Sequence, residues 1–138
     1  MKRALFSDIS FGILIICGLL NLAFNIKSIA KQDEKAISLE EFNLLVNKKN
    51  TLVLAYFSAD WCTVCAKMKP ILRGIERDYA TKKMEVLRIN TDRDREITKE
   101  FGGNVLPVFM IYKNGCREWI HIGLVENHIL RNQIKFYL

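Results

Sequence analysis

The run TLVLAYF, residues 51–57, restricts the fold more than any other stretch of this chain. It holds no charged side chain and no polar–apolar alternation, and it is rich in strand-forming residues. A run of this kind reads as a strand covered on both faces, the setting of a central strand in a layered α/β sheet. Shortly afterwards, from Cys62 to about Tyr79, the apolar positions recur at helical spacing, with Pro70 inside the segment. The switch of period marks the point where the end of a sheet meets the start of a helix.

The remainder alternates in the same way. Ser38, with Glu41 three residues on, forms a capping box, and Leu39, Phe42, Leu45 and Val46 follow at helical spacing. MEVLRIN, 84–90, is a second strand, and DRDREITKEFG, 92–102, a charged helix closing at Gly102. PVFMIY, 107–112, and CREWIHI, 116–122, are strands joined at Lys113-Asn114-Gly115, since Asn-Gly supplies the positive φ angles of a tight hairpin. VENHILRNQIKFYL, 125–138, is a final helix whose apolar face holds Ile129, Leu130, Ile134 and Phe136 to Leu138, with Phe136 and Tyr137 expected in the core. Trp119 is expected to pack on the sheet. Right-handed crossovers make strands 51–57 and 84–90 parallel and the last hairpin antiparallel. The expectation is an α/β domain over residues 38–138, a mixed central β-sheet flanked by helices, with no internal repeat.

The first thirty residues differ. Ile9 to Ile26 has no charged residue across 18 positions, which at about 1.5 Å per residue span roughly 27 Å, close to the hydrocarbon thickness of a bilayer. Residues 1–30 therefore read as one N-terminal transmembrane helix, an anchor in preference to a cleaved signal sequence, because no A-x-A pattern follows the run. Cys17 reads as a lipid-facing thiol. Residues 31–37 are polar and aperiodic, a linker. Lys2 and Arg3 on one side and Lys27, Lys31 and Lys35 on the other leave the orientation undecided by charge. Net charge is +6, of which +4 follows residue 30, interspersed with acids as in KQDEK and TDRDREITKE. That is a solvated surface and argues against a nucleic-acid partner.

Two of the four cysteines, Cys62 and Cys65, lie in SADWCTVCAKMKP at the strand-to-helix switch. A thiol attacks as its thiolate, and free cysteine, with a pKa of about 8.5, is only a few per cent ionised at pH 7. At the start of a helix, free backbone N–H groups and the helix dipole favour the thiolate of Cys62. Cys65, three residues on, shares its helical face and is within reach of a disulfide formed on Cys62. Thr63 and Val64 between them tune the redox potential. A structural zinc site needs four ligands, and the other candidates considered, Cys116, His121 and His128, form no second ligand pair. As a staple, so short a loop contributes little. A redox-active dithiol is the leading reading, and a binding module or metal-binding protein using the same pair is the alternative. Cys116 reads as a surface or half-buried thiol, and His121 and His128 as non-catalytic.

SADWCTVCAKMKP, VLP at 105–107, YKNG at 112–115 and Gly123 together resemble the thioredoxin superfamily, in particular its membrane-tethered, extracytoplasmic members, over roughly residues 38–138. The resemblance implies the thioredoxin fold and a thiol–disulfide oxidoreductase, a protein-disulfide reductase in its favoured direction, that needs no metal, nucleotide or flavin. It implies Cys62 as nucleophile, Cys65 as resolving thiol, and Pro107 as a cis-proline that leaves the Leu106 backbone free for a substrate strand. Trp61 would shield the site and Pro70 bend the helix. It also implies disulfide-bonded protein substrates, a membrane electron donor, and a location outside the cytoplasm, as in a bacterial periplasm. Two departures stand out. Tyr56 occupies the place of the family's buried aspartate, and Thr63-Val64 replaces the usual Gly-Pro.

Overall fold

The computed structural model describes residues 36–102 and 105–138. The expected anchor over 1–30, Cys17, and all but the last two residues of the expected 31–37 linker lie outside the described residues. Among the described residues no helix is long and apolar enough to cross a membrane.

The described elements are α1 (Leu39–Val46), β1 (Leu52–Ser58), α2 (Thr63–Asp78), β2 (Met84–Asn90), α3 (Arg95–Phe101), β3 (Val108–Lys113), β4 (Cys116–Ile122) and α4 (Asn127–Tyr137). They form a four-stranded sheet in the order β2-β1-β3-β4. β1 runs parallel to β2 and antiparallel to β3, and β3 and β4 form an antiparallel hairpin. This is the mixed sheet the alternation predicted.

The two faces of β1 explain why its sequence is apolar throughout. Leu52, Leu54 and Tyr56 enter one core with Met68, Leu72 and Ile75 of α2 and Leu130 and Ile134 of α4. Val53, Ala55 and Phe57 enter the other with Phe42 and Val46 of α1 and Ile97 of α3. Trp119 packs against the first of these, as expected.

Local chemistry fixes the boundaries. Ser38 Oγ accepts the Glu41 N–H at 3.1 Å, closing the start of α1. At the hairpin, Asn114 and Gly115 both have positive φ (52° and 84°). Gly115 N–H donates to the Val46 carbonyl at 2.9 Å, and a side chain there would collide with Asn47. Ile37, placed in the linker by sequence, is held by the domain: its N–H donates to Asp94 Oδ1 at 2.9 Å.

Two expectations need correction. The charged helix starts at Arg95, not Asp92, because Arg93 and Asp94 both donate backbone N–H to the Asn90 carbonyl, which makes a turn of the segment. On α4, Phe136 is 79% exposed, and Ile129 and Leu138 are also exposed. The buried stripe is Leu130 and Ile134, with Tyr137 partly covered, at the i, i+4, i+7 spacing of one helical face. Ile129 and Phe136, seven residues apart, share a second face that the sheet does not cover.

Candidate functional site

The chain leaves β1 at Ser58 and enters α2 at Thr63, with Cys62 as the N-cap in extended conformation (φ −78°, ψ 101°). An N-cap side chain normally offers oxygen to the free N–H groups of the first turn. Here sulfur does so: Cys62 Sγ accepts the Cys65 N–H at 3.1 Å. Cys62 and Cys65 are joined as a disulfide, with Cα atoms 5.2 Å apart. The Cys62 sulfur in this oxidised state stands where the thiolate sits after reduction. Sulfur that already receives an N–H bond at the positive end of a helix is placed to hold negative charge.

The two sulfurs differ in access. Cys62 is 8% exposed and Cys65 is fully buried. Thr63 and Val64 occupy the first two positions of α2 and are exposed. Trp61 is 69% exposed, yet its ring is held, because Nε1 donates to Asp92 Oδ2 at 3.0 Å. Asp92 in turn is held through its own N–H to Asn90 Oδ1 at 3.0 Å, and the neighbouring Asp60 accepts Asn90 Nδ2 at 3.3 Å.

The Leu106–Pro107 peptide bond is cis, as expected from the resemblance. Pro107 is buried, and Leu106, half-buried, packs against the core cluster that contains both cysteines. The Pro107 carbonyl accepts the Gly123 N–H at 2.8 Å, and Gly123 adopts the φ of 95° that this approach uses. Trp61, Cys62, Cys65, Leu106 and Pro107 thus lie at one end of the sheet, beyond the end of β1 and the start of β3. Cys116 is exposed and follows the hairpin at the opposite end. His121 stacks on Trp119, and His128 lies 3.2 Å from Glu126. Among the described residues no group of three or more His, Cys, Asp or Glu is arranged to hold a metal ion.

Beneath the pair lies Tyr56. It is 1% exposed, its ring lies against Phe109, and its hydroxyl donates to the Cys65 carbonyl at 3.0 Å. Burial pushes the phenol above its usual 10.0, opposed by a hydrogen bond to Ser58 and by the nearby Arg88 charge. The phenol therefore stays protonated and cannot serve as a base near neutral pH. The sequence placed Tyr56 on the doubly covered strand but did not show its bond to Cys65, nor the part played by Asp92. The signal for Asp92 was present: β2 is parallel to β1, so the residues after Asn90 emerge at the same end as Cys62.

A dithiol that closes to a disulfide at this position exchanges electrons with other disulfides, and the class so defined is that of thiol–disulfide oxidoreductases built on a mixed sheet with helices on both faces. Known proteins agree. A family model described as Thioredoxin matches residues 33–135. The chain belongs to the thioredoxin family. It is 33% identical to a thioredoxin of Rickettsia bellii over 91 residues, 66% of this chain and 86% of that protein. Among solved structures, oxidised mitochondrial thioredoxin 3 of Saccharomyces cerevisiae superposes with a TM-score of 0.64 at 26% identity, covering 72% of this chain and 90% of the yeast protein. Plasmodium falciparum thioredoxin gives 0.65 at 27% identity, covering 75% and 99%. The protein is a thiol–disulfide oxidoreductase that acts on protein disulfides through Cys62 and Cys65.

Proposed function

We propose that the protein is a membrane-anchored protein-disulfide reductase in which Cys62 attacks and Cys65 resolves. The Cys62 thiolate attacks one sulfur of a substrate disulfide, forming a mixed disulfide and releasing the other substrate sulfur, which takes up a proton. Cys65, deprotonated, then attacks Cys62 Sγ. The Cys62–Cys65 disulfide forms, and the second substrate sulfur leaves as a thiol. Two electrons pass from the dithiol to the substrate, and a dithiol carrier in the membrane returns them. The observation that carries the assignment is the Cys65 N–H bond to Cys62 Sγ at the cap of α2. The full burial of Cys65 supports the division of roles, since an external disulfide cannot reach it first.

Around this pair, Leu106 presents backbone to the substrate strand beside Pro107, Trp61 covers one flank, and Thr63 and Val64 set the redox potential. Support for the reducing direction is membership of the thioredoxin family. Support for the anchor over 1–30 is the uncharged run from Ile9 to Ile26. The extracytoplasmic placement rests on the likeness to tethered members of the superfamily. Insulin reduction driven by dithiothreitol tests the assignment. Wild type is expected to turn over, Cys62→Ser to be inactive, and Cys65→Ser to accumulate covalent mixed disulfides. Equal activity of wild type and Cys62→Ser would overturn it.

A further inference from the structure

The turns at the end of the sheet away from the cysteines carry most of the lysines of the domain. β1 and β2 start there, β3 ends there, and β4 starts there. Lys48 and Lys49 lie in the α1–β1 turn and Lys82 and Lys83 in the α2–β2 turn, all four exposed. Lys113 is at the hairpin, and its Nζ donates to the carbonyls of Tyr137 and Leu138 at 3.0 Å each, which brings the last turn of α4, with Lys135, to the same end. The acids at this end are largely offset. Glu85 and Lys48 offset each other and Asp78 lies between Arg77 and Arg131, which leaves Glu118 of β4 against Lys49, Lys82, Lys83, Lys113 and Lys135. The cysteine end is the reverse, with Asp60, Asp92, Asp94, Glu96 and Glu126 against Arg93 and Arg95.

The basic end also exposes a large apolar side chain, Phe136, 79% accessible and next to Lys135. Lysines on several separate turns, spread over about 14 Å of sheet width, make a broad charged surface. A broad positive face with one protruding aromatic ring matches a planar anionic surface that admits a ring among its headgroups.

We propose that this end of the domain docks on an anionic lipid bilayer, leaving the cysteine end facing away from it. The proposal rests on the membrane-anchored reading above.

Cys116 reports on this face, being exposed and opposite Lys113 in the hairpin register. The test takes the oxidised full chain with vesicles of phosphatidylcholine alone, or of phosphatidylcholine and phosphatidylglycerol in equal parts. Flotation is measured beside modification of Cys116 by a neutral polymer-linked maleimide, read by peptide mass. Flotation with both vesicles confirms the anchor whatever the domain does. Docking then slows Cys116 modification about fivefold or more on the anionic vesicles only, and high salt restores the rate. The double variant Lys82→Glu/Lys83→Glu is expected to lose that protection with insulin reduction unchanged, and Phe136→Ser to weaken it. Flotation with both vesicles and equal Cys116 modification overturns the docking face and leaves the anchor standing. Flotation with anionic vesicles alone supports the face and removes the anchor, and flotation with neither overturns both. Protection by soluble polyglutamate but not by anionic vesicles assigns the face to an acidic protein and overturns the bilayer proposal.

Discussion

Tyr56 makes the most specific contact beneath the cysteines. Its hydroxyl satisfies the Cys65 carbonyl inside the core, and the phenol stays neutral because burial raises its pKa. Tyr56→Phe keeps the ring but removes that buried hydrogen bond, and is expected to cost about 1–2 kcal/mol, read as a lower urea midpoint of the oxidised protein. An unchanged midpoint would show the bond to be energetically idle. The same residue sets an alkaline limit. A phenol whose folded pKa lies above its unfolded 10.0 contributes stability that is complete below pH 10 and is lost as pH rises beyond it. Tyr112, also raised by burial, acts in the same direction. Stability at fixed urea is therefore expected to be flat in this respect up to about pH 10 and to fall above it. Tyr56→Phe should make that fall shallower, and an equally steep fall in the variant would exclude Tyr56 as a source.

At the scale of elements, Asp94 joins three segments. One oxygen accepts the Ile37 N–H at 2.9 Å and the other the Asn90 N–H at 2.8 Å, so the entry to α1, the end of β2 and the start of α3 meet on one buried carboxylate. Asp94→Ala is expected to destabilise by about 2–4 kcal/mol, since two backbone donors lose a charged acceptor. Urea unfolding measures it, and a loss below about 0.5 kcal/mol, the size of an ordinary surface change, would contradict the role. Nothing in the sequence singled out Asp94 from the other acids of TDRDREITKE. Elements set by periodicity were legible: the doubly covered β1, the Asn114-Gly115 hairpin, and the helix opening at Cys62. Contacts between residues far apart in the chain were not, because spacing reports which face a residue takes and not what meets it. The Trp61–Asp92 bond spans 31 positions and the Ile37–Asp94 bond 57. Phe136 illustrates the same limit. Its place on an apolar stretch of α4 was plain, but whether the sheet extends far enough to cover it was not.

Across the whole molecule, the pieces combine into a domain with its redox chemistry at one end of a sheet and most of its lysines at the other. The central strand supplies rigidity, the cap of α2 supplies the sulfur, and the turn before β3 supplies the backbone beside it. The account depends throughout on Cys62 being the thiol that is ionised and reached first. The most direct measurement is the pH dependence of iodoacetamide modification of the reduced protein, resolved by peptide mass. The expected result is that Cys62 reacts well before Cys65, with an inflection clearly below the value of about 8.5 for free cysteine. An inflection at or above that value, or earlier modification of Cys65, would contradict it.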